Sequence, residues 1–276
     1  MVTRTGGARH RKQRSLTAKS ADKHALYQLA VQDPLAEIRF IDRVFRGRHA
    51  RLPLTLREDF CGTALLCASW VNSHDARTAV GVDLDREVLD WGKKHNLLPL
   101  GASAKRVRLL RRDVRSRVTG PFDVAVAFNS SYWVFTTRAR ILAYFRSVLC
   151  SLRRGGLFYL DCHGGLTGQE SLIERRRLSG FTFTWQQEQF NPIDHVMMNY
   201  IHFEFPDKSR IERAFSYQWR FWSIPEIRDL LDDAGFRKST VYWEGPGRDG
   251  RGDGRFKPAN VVANETAWVA YVVAER

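Results

Sequence analysis

Glu58, Gly62 and Asp83 are the residues whose types and spacing best suit ligand chemistry. A strand-like segment that begins at residue 54 ends at Glu58 and Asp59, turns at Gly62 and continues as a helical pattern over 64–70. A second apolar segment ends at Asp83. Glycine lets the backbone approach a ligand closely, and a carboxylate that ends the next strand can accept hydrogen bonds from both hydroxyls of a ribose. The spacing therefore predicts a nucleoside site at the edge of an α/β sheet.

The acids beside Gly62 indicate which nucleoside fits. A dinucleotide requires a glycine-rich turn without acids, because its pyrophosphate binds backbone N–H groups and a helix N-terminus. Here the turn carries Glu58 and Asp59 and a single glycine. A ligand with a positive centre and a free amino group, but no phosphate, suits these acids and Asp83. S-adenosylmethionine has that chemistry.

At these residues the chain resembles the class I S-adenosylmethionine-dependent methyltransferases. The resemblance rests on segments that occur in the family's order, namely 58–64, Asp83, Asp113 with Val114, 122–129, and the Gly155-Gly156 turn before 157–161. It covers residues 54 to 165. Phe60 and Ala64 depart from the pattern, since they stand where the family usually has the outer two glycines of its turn.

The resemblance implies roles in holding the adenosine part of the cofactor. It places Asp83 at the ribose, and it places Asp113 and Val114 at the adenine, with Asp113 accepting from the exocyclic amine. Trp91 follows on the next helix, where it either covers the adenine face or packs in the core.

The resemblance also implies roles at the methionine part. Glu58, Gly62 and Asn129 are expected at the amino group and the turn. Arg57 is the candidate for the methionine carboxylate, with an ion pair to Asp59 or solvent exposure as the alternatives.

Strand and helix patterns alternate between residues 54 and 161. Strand patterns occupy 54–58, 78–83, 107–111, 122–128 and 156–161, and helix patterns occupy 63–72, 86–95 and 137–152. Such alternation predicts an α/β fold with a Rossmann-like, doubly wound, mostly parallel sheet. Ligands bind beyond the carboxyl ends of such strands. That rim gathers Glu58, Asp83, Asp113, Asn129 and Asp161.

Beyond residue 165 the hydrophobic pattern changes to period two. Segments 181–185, 196–205 and 213–221 alternate as half-buried antiparallel strands do. The resemblance implies that strands near 238–243 and 266–273 close the large sheet as an antiparallel edge, with the glycine-rich segment 245–254 between them as a loop. We therefore expect a basic disordered tail (1–20), an N-terminal helical lid (21–50) and a methyltransferase domain (51–276) with an aromatic β insert near 166–222.

The formal charge of +14 is concentrated in two segments. Residues 4–19 carry basic side chains without acids, which is typical of a disordered solubilising arm or of a nucleic-acid contact. Residues 105–117 carry a second basic cluster around Asp113. That cluster either borders an entrance for an anionic substrate or is a solvated strand and loop.

Length and composition favour one compact soluble enzyme. The chain has 276 residues, 43% of them hydrophobic, and no apolar run approaches the ~20 residues of a membrane span. The basic N-terminus lacks the apolar stretch of a secretory signal, so we expect a cytoplasmic protein without membrane association. The four cysteines have neither disulfide nor zinc spacing, so we expect small core residues and no metal.

Methyl transfer is an in-line displacement at a sulfonium carbon, so the protein mainly aligns the reactants. His163, just past the fifth strand, is the candidate catalytic base where the acceptor requires one, and His195 and His202 are weaker candidates. Tyr132 is the second catalytic candidate, because the segment after the fourth strand approaches the transferable methyl in the family's architecture.

Aromatic side chains in the insert are the candidate acceptor pocket. Trp185, Tyr200, Tyr217, Trp219 and Trp222 either contact a flat or apolar acceptor or fill the second face of a small sheet. His24 and Tyr27 are candidate lid residues, and packing among neighbouring apolar residues is the alternative for Tyr27.

Three functions are consistent with these patterns. The leading one is an S-adenosylmethionine-dependent methyltransferase that acts on an oxygen or nitrogen of a small molecule, favoured by the aromatic insert. The basic segments favour an RNA or protein methyltransferase as the alternative. A non-catalytic S-adenosylmethionine-binding protein is the third.

Overall fold

The computed structural model describes residues 16–246 and 252–276. Residues 1–15, most of the predicted tail, lie outside that range. The helices are α1 (Lys23–Val31), α2 (Pro34–His49), α3 (Leu65–Asn72), α4 (Arg86–Gly92), α5 (Arg138–Ser151) and α6 (Ile224–Ala234). The first strands are β1 (Thr55–Asp59), β2 (Thr78–Asp83), β3 (Val107–Arg111), β4 (Phe122–Ala127), β5 (Leu152–Gly164) and β6 (Leu172–Leu178). The remaining strands are β7 (Phe181–Gln187), β8 (Val196–Glu204), β9 (Arg210–Arg220), β10 (Lys238–Pro246), β11 (Gly252–Pro258) and β12 (Trp268–Glu275).

The strands form a large mixed sheet and a small antiparallel sheet. The large sheet has the order β11-β10-β12-β5-β4-β1-β2-β3, and the small one has the order β6-β7-β8-β9. Pairing is parallel from β5 through β4 and β1 to β2 and β3. It is antiparallel from β5 through β12 and β10 to β11. The predicted α/β fold, its antiparallel edge and its β insert are therefore confirmed.

Helices cover both faces of the large sheet. Buried side chains of α2 and α3 pack with Val124, Val126 and Tyr159 on one face. Those of α5 and α6 pack with Ala125 and Phe158 on the other. Alternate residues of the central strands therefore enter different cores, as period-two strands buried on both faces require.

The small sheet presents one apolar face, and α1 packs against part of it. Leu26 and Ala30 of α1 share a core with Phe181, Phe183 and Phe203. β6 was not predicted, because its central residues 174–177 are charged and lack an apolar alternation. Its backbone nevertheless pairs with β7 in unbroken register.

Two segments differ from their expected descriptions. A turn at 17–20 contacts the insert, where the Ala18 N–H donates to Ser209 Oγ over 2.9 Å, so the fold begins before the expected boundary at residue 20. Residues 252–254 belong to β11, which pairs with β10 as a hairpin. Of the residues expected to form a glycine-rich loop, 247–251 lie outside the described range.

A buried ion pair joins β1 to the helical layer on one face. Arg57 Nε donates to Asp59 Oδ1 over 2.9 Å, and both side chains are fully buried. Arg57 also donates to the Val114 carbonyl over 2.7 Å, and Asp59 accepts from the Tyr144 hydroxyl over 3.0 Å. These bonds compensate the cost of burying two charges.

The turn between β1 and α3 has an unusual backbone. Phe60, Gly62 and Ala64 have φ angles of 55°, 50° and 55°. The left-handed region costs non-glycine residues roughly 1–2 kcal/mol each. Phe60 and Ala64 therefore adopt the conformation that glycine would take freely, and the surrounding contacts must hold them there.

Three cysteines are buried, namely Cys61, Cys67 and Cys162, whereas Cys150 is exposed. Within the described ranges no helix is long and apolar enough to cross a membrane.

Two glycine-to-alanine variants separate backbone strain from steric overlap at this turn. A Cβ on Gly92 would lie 2.3 Å from the Thr63 carbonyl oxygen, whereas a Cβ on Gly62 would meet nothing within 4 Å. We expect Gly62→Ala to cost about 1 kcal/mol from its positive φ, and Gly92→Ala to cost about 3 kcal/mol because α4 must move. Chemical denaturation measures both. Equal costs would contradict the close approach of α4 to the turn.

Candidate functional site

A cavity of about 810 Å³ lies beyond the carboxyl ends of the parallel strands. Helix α1 and the small sheet line its other side. The large sheet contributes residues at or just beyond the carboxyl ends of four strands: 60–63, Asp83 and Asp85, 129–131, and 161–164. The residues that helix α1 and the small sheet contribute include an aromatic set: His24, Tyr27, Phe183, Trp185, Phe215, Tyr217 and Trp219. Strand-end polar groups therefore face an aromatic surface across one cavity.

Asp83 links the end of β2 to the turn after β1. Its Oδ2 accepts from the Gly62 N–H over 2.8 Å, and its Oδ1 accepts from the Asp85 N–H over 2.9 Å. Burial raises the pKa of Asp83. Both Gly62 and Asp83 line the cavity. A carboxylate that accepts hydrogen bonds therefore lies next to a glycine that a ligand can approach closely, which is the arrangement that suits a ribose.

Glu58 lies beneath the turn and does not line the cavity. Its Oε2 accepts from the Cys67 N–H, in the first turn of α3, over 2.9 Å. The N-cap residue Ala64 has no side chain that could accept this bond, so Glu58 of β1 caps the helix. Burial raises the pKa of Glu58 to about 7.

Arg57 lies away from the position expected for it. It is fully buried, and its guanidinium donates to Asp59, Val114 and Ser151. Successive strand residues point to opposite faces, and Arg57 points beneath α5 rather than toward the rim. The ion pair with Asp59, given above as the alternative, is the arrangement observed.

Asp113 and Val114 are also absent from the cavity lining. Asp113 accepts from the Arg115 guanidinium and from the Arg115 N–H over 2.8 Å, and this guanidinium holds the pKa of Asp113 below its usual value. Val114 is buried, and its carbonyl accepts from Arg57. The structure therefore does not bring this pair together with Gly62 and Asp83, and the adenine role stays a prediction.

Asn129 and Asp161 form a polar unit between β4 and β5. The N–H groups of Asn129 and Ser130, both in the left-handed conformation, donate to the two Asp161 oxygens over 2.8 Å each. Burial raises the pKa of Asp161 to about 6. The sequence predicted Asp161 at the rim but assigned it no role. Asp161 lies near the carboxyl end of β5, much as Asp83 ends β2.

His163 lines the cavity, whereas Tyr132 does not. His163 Nδ1 lies 3.1 Å from Ser130 Oγ, and its ring centroid lies 4.5 Å from that of Trp133. Burial lowers the pKa of His163 to about 4, so its ring is neutral at pH 7. Tyr132 is fully buried, and its hydroxyl donates to the Asp161 carbonyl over 2.9 Å. The expected contact of Tyr132 with the acceptor is thus replaced by a structural bond.

Three insert residues form a continuous aromatic surface in the cavity. Ring centroids of Tyr217 and Trp219 lie 5.0 Å apart, and those of Trp185 and Trp219 lie 5.6 Å apart. Tyr27 of α1 packs 5.0 Å from Phe215. Trp222 and Tyr200 do not line the cavity, and both Trp219 and Trp222 belong to the core. Contact of the insert aromatics with an acceptor stays a prediction.

The other candidates lie outside the cavity lining. Trp91 stacks on His95, with centroids 4.3 Å apart, and donates to Asp22 over 2.6 Å. His195 and His202 belong to the insert but do not line the cavity. Among the residues described, no three His, Cys, Asp or Glu side chains group as metal ligands.

Glu58 predicts a pH dependence of stability. Its folded pKa is raised from 4.5 to about 7, so the folded state binds the proton more tightly, and stability falls as pH rises between these values. Glu58→Gln keeps an acceptor for Cys67 without ionising. We expect the variant to gain about 1–3 kcal/mol over the native protein between pH 5 and pH 8. Urea unfolding at several pH values measures this, and parallel pH profiles for the two proteins would contradict it.

Comparisons with known proteins identify the fold through structure alone. Neither a known protein family's sequence profile nor a curated protein sequence matches the chain. Among solved structures, an S-adenosylmethionine-dependent methyltransferase from Clostridium acetobutylicum is 17% identical with a TM-score of 0.67, and the match covers 91% of this chain and 96% of that one.

Two further structures match over nearly their full lengths. An amino pentose methyltransferase from Micromonospora echinaspora, solved with S-adenosylmethionine bound, is 17% identical with a TM-score of 0.60, covering 92% of this chain and 95% of that one. A sugar N-methyltransferase from Streptoalloteichus is 16% identical with a TM-score of 0.61, covering 100% of this chain and 97% of that one. The chain therefore has the class I methyltransferase fold.

Proposed function

We propose that this protein is an S-adenosylmethionine-dependent methyltransferase that acts on an oxygen or nitrogen atom of a small molecule. The observation that carries the proposal is the single cavity that joins Gly62 and Asp83, at the strand ends, to the aromatic surface of Trp185, Tyr217 and Trp219. One side suits a nucleoside and the other suits an acceptor.

The residues at the rim fit the cofactor chemically. Asp83 would hold the ribose hydroxyls, and the open space over Gly62 would allow close approach of the ligand. Asn129, which lines the cavity, would stand at the methionine amino group. Glu58 would act through the turn it supports. When bound, S-adenosylmethionine supplies an electrophilic methyl carbon.

The protein's own contribution is alignment and exclusion of water. The acceptor would lie between the aromatic surface and the strand ends, where α1 and the small sheet enclose it. His163 is neutral and lines the cavity, so it can accept a proton from an acceptor hydroxyl. The helices α1 and α2 fill the region proposed as a lid, and α1 supplies cavity residues.

The acceptor class is supported by two further observations. The neighbours include a sugar N-methyltransferase and an amino pentose methyltransferase, whose names denote small-molecule acceptors. The basic cluster at 105–117 has an explanation that needs no nucleic acid, since Arg108 and Arg111 are exposed on β3, the edge strand of the large sheet. Charges on an edge strand prevent pairing with other chains.

Calorimetric titration with S-adenosylmethionine tests the cofactor assignment. We expect micromolar binding by the native protein, and a loss of at least tenfold in Asp83→Ala because a charged hydrogen-bond acceptor is removed, worth about 1.5–3 kcal/mol. Asp229→Asn, on the exposed face of α6, is the matched control and should bind normally. Thermal unfolding of each variant checks that it folds. An absence of binding by the native protein would reject the proposed function.

A further inference from the structure

We propose that the acceptor is an amine that enters the cavity as a cation and also carries a neutral oxygen group, and that Asp161, Glu174 and the aromatic surface recognise it. This inference rests on the proposed function and specifies its substrate class. It comes from the charge distribution and the ring arrangement of the cavity, and from a buried indole N–H that has no partner within the described chain.

The cavity is acidic although the protein is strongly basic. The chain has a formal charge of +14. Of the described residues that line the cavity, two have permanently charged basic side chains, Lys23 and Arg176. Carboxylates outnumber them there: Asp83, Asp85, Asp161, Glu174 and Glu244. A cavity of opposite sign to the rest of the molecule attracts cations from solution.

The two basic side chains have partners other than these acids. Arg176 donates to the Ala30 carbonyl and lies 4.9 Å from the Phe183 ring. Lys23 lies 5.2 Å from the Phe215 ring. Within the described part of the chain, Asp161 and Glu174 form no ion pair. Glu174 is exposed and Asp161 is half-buried. Leaving Asp161 without a cation is therefore the costlier of the two, and a cationic ligand would compensate it.

The acids divide between the two halves of the cavity. Asp83 and Asp85 follow β2, beside the turn that the cofactor would contact. Asp161 lies near the carboxyl end of β5. Glu174 of β6 lies opposite Trp185 of β7 in the small sheet. Glu174 lies on the same small sheet as the aromatic surface, and Asp161 lies on β5, which is two strands from β1 and three from β2 in the large sheet. We therefore assign Asp161 and Glu174 to the acceptor half.

The aromatic surface adds a second feature that suits a cation. Indole and phenol rings attract cations over their faces, and Lys23 already lies over Phe215 at the edge of this surface. Trp219 is 5% exposed and lines the cavity, and its Nε1–H has no hydrogen-bond partner among the residues described. The nitrogen itself is buried, and a neutral ligand oxygen that reaches it would accept that hydrogen bond.

An amine acceptor also requires a proton acceptor. The ammonium form must release one proton before its nitrogen lone pair can form the new N–C bond, while the methyl carbon's bond to sulfur breaks and its electron pair stays on sulfur. Burial raises the pKa of Asp161 to about 6 and lowers that of His163 to about 4. Both groups line the cavity, and the Asp161 carboxylate would also pair with the ammonium, so we assign Asp161 as the base for an amine.

A matched ligand pair tests the inference on the full chain. Saturating S-adenosylhomocysteine is added first, and trans-4-aminocyclohexanol or trans-cyclohexane-1,4-diol is then titrated at pH 7, with tryptophan fluorescence as the readout. The two ligands differ only in the amine. We expect the amine to bind at least tenfold more tightly than the diol, corresponding to about 1.4 kcal/mol.

Variants assign the preference to residues. Asp161→Asn should abolish the amine preference, and Glu174→Gln should reduce it even if Asp161→Asn does not fold. Asp229→Asn should retain it. Trp219→Phe keeps the ring but loses the N–H, so it should weaken the amine and the diol alike.

Failures of the two proposals are distinguishable. Failure of S-adenosylhomocysteine to bind would reject the proposed function and this inference together. Normal binding of S-adenosylhomocysteine with equal affinity for the two ligands, or with no amine binding, would overturn the amine inference alone. An amine preference that persists in both Asp161→Asn and Glu174→Gln would overturn the assigned residues.

Discussion

The turn between β1 and α3 is the constraint on which the rest of the site depends. Its backbone takes positive φ angles at Phe60, Gly62 and Ala64, two of which are not glycine. Hydrogen bonds from both sides hold this strained conformation: Asp83 accepts from the Gly62 N–H, and Glu58 accepts from the Cys67 N–H. The two acids that mark the site in the sequence are therefore also the groups that shape it. A strained backbone of this kind persists only where the surrounding contacts hold it in place.

Carboxylates outnumber permanently charged basic side chains in the cavity lining, although the chain as a whole is strongly basic. Exposed arginines occupy the edge strand β3, whereas unpaired carboxylates of the described chain face the cavity. Where an arginine is buried, as Arg57 is, it pairs with Asp59 and contributes nothing to the cavity. The net charge of the chain therefore does not describe the balance of charged side chains that line the cavity.

The positions of residues at the ends of strands could be predicted from the sequence, whereas the burial of a residue in the core could not. The parallel order, Gly62, Asp83, Asn129 and His163 could be predicted, because residues that follow parallel strands must meet at one edge. Tyr132 could not, because it lies in a short helical turn (Ser131–Val134) after β4, where the strand pattern gives no information on burial. β6 was missed because its pairing depends on backbone bonds to β7, and its charged residues hide any alternation.

Helix α1 connects the two halves of the cavity. On one side, Gln28 Nε2 donates to Thr63 Oγ1 over 2.7 Å, within the turn after β1. On the other, Tyr27 packs on Phe215 and Leu26 enters the apolar face of the insert. A displacement of the turn would therefore be transmitted through α1 to the aromatic surface. If the cofactor binds at the turn and the acceptor at the insert, as proposed, both contact the same helix, and we expect their binding free energies to be linked. By reciprocity each ligand would then change the affinity for the other by the same factor.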